Sequence, residues 1–262
     1  MKKILCIFAF AALLALPALS QTAAEHIQAG DQAYAAFDDA AALKHYQEAL
    51  ALEPTNYEAL WKASRAMVDI ADVIPAADKD IKAKQMKGYS EALMLARKAV
   101  AVNPNDTWGH FMIAAANGKR LLLLGKKEQI DNSKAVRAEI DKALELDSTN
   151  HLAWHALGRW HRRMAEIGGV KRALGSLFYG SIPKGSFDES ETALRKAIEL
   201  HPEFVNHYLE LGRTLVAEKK YDEAAQSFEK ALALPKTTSK DDVLKAEAKT
   251  ELDQLKAKGK GR

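Results

Sequence analysis

The sequence predicts an all-α solenoid of five irregular helical hairpins closed by a C-terminal capping helix. Three observations predict it. First, five segments end on nearly the same phrase: Ala49-Leu50-Ala51-Leu52-Glu53-Pro54, Ala99-Val100-Ala101-Val102-Asn103-Pro104, Ala143-Leu144-Glu145-Leu146-Asp147-Ser148, Ala197-Ile198-Glu199-Leu200-His201-Pro202 and Ala231-Leu232-Ala233-Leu234-Pro235. Each closes an amphipathic helix, and in four of the five a proline marks where that helix cannot continue. Second, small and aromatic residues recur at fixed offsets upstream of these endings, the mark of an internal repeat. Third, the composition of the 262 residues (48% hydrophobic, 28% charged, 14 Gly, 7 Pro, one Cys) excludes disordered, collagen-like and disulfide-stapled chains.

The first element, residues 1–20, reads as a cleaved export signal. Met1-Lys2-Lys3 is a positive start, Ile4 to Leu16 an uncharged apolar run, and Pro17 a break. Ala18-Leu19-Ser20 then supplies small residues before Gln21, with cleavage expected after Ser20. The run is 13 residues, short for a span of about 20, which argues against a retained anchor. Export places the protein in the periplasm. It also removes Cys6, excluding disulfides, thiol catalysis and thiolate metal sites from the mature chain. The formal charge of +3 falls close to balance, 36 basic against 35 acidic residues, once Lys2 and Lys3 leave. That balance excludes a dedicated nucleic-acid binder.

The array occupies residues 21–236, with repeats at about 23–56, 57–106, 107–150, 151–204 and 205–236. Its offsets resemble the tetratricopeptide unit of 34 residues. The fifth repeat carries Tyr208, Leu211, Gly212, Leu215, Tyr221, Ala224, Phe228 and Ala231; the fourth begins Trp154, Leu157, Gly158, His161; the first offers Gly30, Ala42, Tyr46, Ala49 and Pro54. Gly and Ala are needed where paired helices approach closely, and aromatic rings fill the wedge between hairpins. The proline-equivalent positions lie 50, 44, 54 and 34 residues apart, so the three middle repeats hold about 16, 10 and 20 residues beyond that unit. The extra residues fall near Val73 to Lys87, Leu121 to Ser133 and Glu166 to Ser186. The second insertion lengthens both helices around a turn at Gly125; the first and third are expected as short helices or loops. All three gather on one edge of the stack. Residues 237–262 are expected to form a capping helix, Lys240 to about Lys256, started by Ser239 with Asp242 as a capping box, then a basic, mobile tail of Lys256, Lys258, Lys260 and Arg262.

The chain also resembles the regulator of microtubule dynamics family over about residues 57 to 256, most specifically in its second half. The match is carried by Leu157-Gly158-Arg159-Trp160, the basic stretch through Lys171-Arg172-Ala173-Leu174 and Leu177-Phe178, and Pro183 to Ser186. It continues through Glu191-Thr192-Ala193-Leu194, Lys196-Ala197 and Pro202, and closes on Leu232 to Pro235 and Thr238-Ser239-Lys240-Asp241-Asp242. The resemblance implies a helical interaction protein and, in animals, an adaptor at microtubules and organelle contacts.

Catalytic signatures are missing from the sequence. There is no glycine-rich phosphate loop, no H-E-x-x-H and no G-x-S-x-G, so no catalytic residue, metal site or cofactor is expected. His151 and His155 stand at i and i+4, but no clustered acid completes a ligand set. Chemistry is expected instead on the inner face. Positions 2, 5, 9, 12 and 13 of each first helix line the groove of such a repeat, giving Trp61, Arg65, Trp108, Phe111, His155, Arg159, Arg162, Arg163, Leu209 and Arg213. Guanidinium groups beside aromatic walls suit an extended, acidic peptide or a carboxylate. The alternative is that the arginines pair with acids of neighbouring repeats while Trp61 and Trp108 pack beneath the insertions. Trp154 and Trp160 read as core. Val170, Ala173, Leu174, Leu177 and Phe178 form an amphipathic stretch, expected to pack on the solenoid edge in preference to touching a membrane. A protein-binding scaffold is therefore expected, with a microtubule adaptor and an unrecognised enzyme as the other two readings; no feature of the sequence sets an oligomeric state.

Overall fold

In a computed structural model the described residues, 21–261, form twelve helices and no strand. The export signal expected at residues 1–20 lies outside them, as does Arg262. Five antiparallel hairpins follow one another: α1 (Ala23–Ala35) with α2 (Asp39–Leu52), α3 (Tyr57–Asp72) with α4 (Ile81–Val102), α5 (Thr107–Leu122) with α6 (Lys126–Leu146), α7 (His151–Ala165) with α9 (Phe187–Leu200), and α10 (Val205–Ala217) with α11 (Tyr221–Ala233). The inserted α8 (Gly169–Tyr179) separates α7 from α9, and α12 (Asp241–Ala257) packs on α10 and α11. Among the described residues no helix is long and apolar enough to cross a membrane.

Local chemistry sets these boundaries. After the first three shared endings the chain turns and a short polar side chain restarts it: Asn56 accepts from the Ala59 amide, Asp106 from Trp108, and Asn150 from Leu152 and Ala153. Thr22 and Glu25 form a reciprocal capping box on α1. Within hairpins, size complementarity sets the spacing of the helices. A Cβ added to Gly30 would sit 2.4 Å from the Tyr46 ring, one on Gly212 2.4 Å from the Phe228 ring, and one on Gly158 2.6 Å from Leu194. Tyr46, Leu194 and Phe228 are fully buried, each filling the space its glycine leaves. In the third hairpin the same register places Ala114 and Ile140 in one cluster. The core is continuous in two large clusters, one across α3 to α7 and one across α9 to α12.

The insertions resolve individually. The first divides between a loop over 73–80 and the opening turns of α4, which runs 22 residues. The second lengthens α5 and α6 and turns at Gly125, as the sequence indicates. The third is α8, bounded by Gly168 and Gly180 at φ of 67° and 74°, left-handed values that favour glycine. The expectation that α8 packs its apolar face on the edge is corrected: Val170, Leu174, Leu177 and Phe178 are 59–79% exposed. What holds this segment is Arg172, whose guanidinium donates to the carbonyls of Pro183 and Met164, together with buried Ile182.

Three smaller expectations also change. Trp154 is half-buried at the surface, its indole donating to the Ser148 carbonyl; Trp160 is partly buried against the Val136–Ile140 cluster and donates to Ser133. Ser239 does not cap α12. Asp241 instead accepts from the Thr237 and Thr238 amides at 2.7 and 3.0 Å, and Asp242 pairs with Lys236. The basic tail is tied down, with Lys260 over the Tyr221 ring and Gly261 against Ala225.

Candidate functional site

The inner face divides into two polar clusters and an aromatic wall. The wall is built by α3 and α5. Trp61 and Trp108 stack with centroids 4.8 Å apart and planes at 13°, and Phe111 meets Trp108 edge-on. Arg65 lies 3.7 Å above the Tyr34 ring and 5.1 Å from that of Trp61, a stacked cation on an aromatic surface. The four residues are thus brought together as the sequence indicates, with Trp61 and Phe111 largely sunk into the core.

The arginines converge on a residue the offsets pass over. Glu210 on α10 is 2% exposed and receives Arg162 at 2.5 Å, Arg213 at 2.9 Å and Arg159 at 3.4 Å. Arg162 also holds Glu166, and Arg213 also holds Glu247 and Glu251. Burial raises the Glu210 pKa, but the three guanidinium groups outweigh it and hold the carboxyl well below its ordinary value. Arg163 is exposed beside them. Arg159, Arg162 and Arg213 therefore meet four carboxylates, with Arg163 nearby, and the middle of the groove is charge-balanced, not basic. Leu209 is corrected: it is fully buried in the α9–α12 core and lines no groove.

His155 also points inward, into a stack of rings. His207 sits between His151 and His155, its two nitrogens 2.9 and 3.0 Å from theirs, and His151 stacks on His201 at 4.4 Å. Burial lowers the His151 pKa to about 4 and that of His155 to about 3, and lowers that of His207 further still.

The other polar cluster lies at the N-terminal end of the groove. Asp69 accepts from the Tyr34 hydroxyl at 2.9 Å, and Asp72 from Tyr89 at 2.7 Å and Lys119 at 2.8 Å. Into this cluster comes a segment from the far end of the chain. Lys240 places its ammonium 2.5 Å from Asp69 and 3.5 Å from Asp72, and the Ser239 hydroxyl donates to Asp39 at 2.5 Å. Lys236 lies 5.4 Å over the Phe37 ring. Burial would lower the Lys240 pKa, but Asp69 and Asp72 raise it well above its ordinary value. The solenoid is therefore curled far enough for the segment before α12 to span its mouth. The offset rule does contain some of these residues, since position 12 of the first repeat is Tyr34 and position 13 of the second and third repeats is Asp69 and Lys119. Asp39 and Asp72 lie outside it.

Comparison with known proteins places this geometry. The family model for Regulator of microtubule dynamics protein 1-3 matches residues 26–256. The Mus musculus Regulator of microtubule dynamics protein 1 is 26% identical over 197 residues, covering 75% of this chain and 63% of that protein. Its Caenorhabditis elegans counterpart is 28% identical over 131 residues, covering 50% and 58%. The chain thus spans less than two thirds of the length of these relatives. Among solved structures, a thermophilic TPR protein of Thermus thermophilus superposes with a TM-score of 0.62 at 18% identity, over 88% of this chain and 98% of that one. PilW, a type IV pilus biogenesis factor, gives 0.52 at 18% identity, over 90% and 92%. These two likenesses establish the tetratricopeptide-type solenoid. With its model matched over most of the length, the chain belongs to the Regulator of microtubule dynamics protein 1-3 family.

Proposed function

We propose that the protein is an exported, non-catalytic scaffold that holds an extended, lysine-bearing segment of a partner protein in its groove. One observation carries this reading: the groove already holds such a segment, its own residues 236–240, by Lys240 on Asp69 and Asp72 and by Ser239 on Asp39. Lys240 is the cation paired with Asp69 and is shared with Asp72, which also holds Lys119, so its removal leaves the N-terminal end short of a cation. An arriving lysine restores that balance, whereas an acidic peptide would meet arginines already engaged with Glu210.

A synthetic peptide of residues 235–242 tests this directly. Added to the Lys240→Ser chain it is expected to bind about tenfold tighter than to the native chain, because it no longer competes with a tethered copy. Asp69→Asn should abolish the gain. Equal binding to the native and Lys240→Ser chains, or binding indifferent to Asp69, would overturn the reading.

Export rests on the Met1 to Ser20 pattern. Fractionation with intact mass is expected to find a periplasmic species beginning at Gln21. A cytoplasmic species retaining Met1 would favour the second reading, the microtubule-linked role that the relatives' names carry. The near-equal charge of the chain after Ser20 offers no electrostatic grip on an acidic filament.

A further inference from the structure

The first hairpin carries a cluster that the groove does not use. His26 on α1 and His45 and Glu48 on α2 converge where the helices pack. Both His26 Nδ1 and His45 Nδ1 lie 3.0 Å from the same oxygen, Glu48 Oε2. All three donor atoms fall within 4.8 Å of one another. The spacing of His45 and Glu48 places them on one face of α2, and the Thr22–Glu25 capping box fixes the turn of α1 that presents His26. The two imidazoles are tilted by 32° with centroids 6.1 Å apart, so they flank the carboxylate without stacking on each other. His26 Nδ1 is buried yet has no hydrogen-bond partner: it approaches Glu48 closely without the alignment a hydrogen bond needs. A buried ring nitrogen left in this state calls for another partner.

The geometry points to a binding site for a divalent transition metal, with zinc(II) the best fit. Two imidazole nitrogens and one carboxylate oxygen are a familiar three-ligand set for zinc. The 3.0 Å separations are close to what ligands about 2.0–2.1 Å from a tetrahedral ion require. The His26 side chain is mostly buried and those of His45 and Glu48 are about a third exposed, so the cluster lies at the edge of the hairpin junction. Lys44, the other cation near this carboxylate, lies 3.9 Å from Glu48 Oε1 and leaves Oε2 free of it. A bound ion would clamp α1 to α2 at the end of the stack, where α1 packs only on α2 and α3. The larger ring cluster of His151, His155, His201 and His207 is a poorer site, since its nitrogens are spent on one another and no three donors meet.

Calorimetric titration of the full chain with zinc chloride tests the assignment. The expected result is one ion per chain, with affinity falling about tenfold or more in each of His26→Ala, His45→Ala and Glu48→Gln. Glu48→Gln keeps the side chain's size, so it separates ligation from packing, and circular dichroism checks that each variant keeps its helices. A His151→Gln, His201→Gln double variant should bind as the native chain does. Absence of stoichiometric binding, binding indifferent to the three substitutions, or binding lost with His151 and His201 would each overturn the site.

Discussion

Replacing Glu210 with alanine is expected to destabilise the fold by about 3–5 kcal/mol, the cost of leaving buried cations without their counter-charge. Glu210 is 2% exposed and is the common acceptor for Arg159, Arg162 and Arg213. Arg213 keeps Glu247 and Glu251, and Arg162 keeps Glu166, but Arg159, which pairs with Glu210, would be left facing two like charges. Glu210→Gln keeps the volume and removes only the charge, so it should show most of the same loss. Urea denaturation of both variants measures it; an unchanged midpoint in Glu210→Gln would mean that packing and not charge holds this junction. Because the folded carboxyl titrates well below the ordinary value of 4.5, its contribution is complete above about pH 4.5. It is lost only as pH falls further, through the folded value.

The histidine stack should produce a second, separate acid loss at higher pH. His155 and His207 are buried neutral, with folded pKa values of about 3 and lower still against an ordinary 6.5, and His151 follows at about 4. Burial is the main cause; around His155, Arg159, His151 and Lys240 add repulsion while Glu210 opposes it. Below pH 6.5 the unfolded chain gains protons that the folded chain refuses, so stability is full above 6.5 and falls as pH drops. Each such histidine costs about 1.4 kcal/mol per pH unit, so the two buried rings together cost roughly 4 kcal/mol by pH 5. Melting temperature followed from pH 7.5 to 5 should therefore fall, and His207→Gln, which cannot titrate, should flatten the slope. A slope unchanged in that variant would place the sensitivity elsewhere. Glu210 keeps its charge throughout this window, so the two effects are separable on one pH axis.

The repeats were readable in the sequence because each depends on short-range rules. Proline after Leu52, Val102 and Leu200 ends helices wherever it occurs, and Gly30, Gly158 and Gly212 answer Tyr46, Leu194 and Phe228, each three residues before the closing alanine of its repeat. The aromatic wall of Trp61, Trp108 and Phe111 followed from the same periodicity. Its limits were equally physical. The offset rule located Arg159 and Arg213 but not Glu210, because a buried counter-charge one position off the groove register looks like any helix glutamate. Leu209 obeyed the register, yet the tight packing of α10 on α12 drew it into the core. The exposure of α8 escaped because amphipathicity states which face is apolar, not what covers it. The docking of Lys240 on Asp69 joins residues 171 positions apart, and no local pattern encodes a contact of that range.

That contact makes the chain a gauge of its own curvature. In an open stack each hairpin feels only its neighbours, and small changes of pitch accumulate unnoticed toward the ends. Here the accumulated rotation of every intervening hairpin must bring Lys240 within reach of Asp69 and Asp72. The long α4, the lengthened α5–α6 pair and the α8 insertion are thus not free ornaments of an irregular array. Their lengths jointly determine whether the two ends meet, so adding or deleting a helical turn anywhere between α3 and α11 would be felt at the mouth.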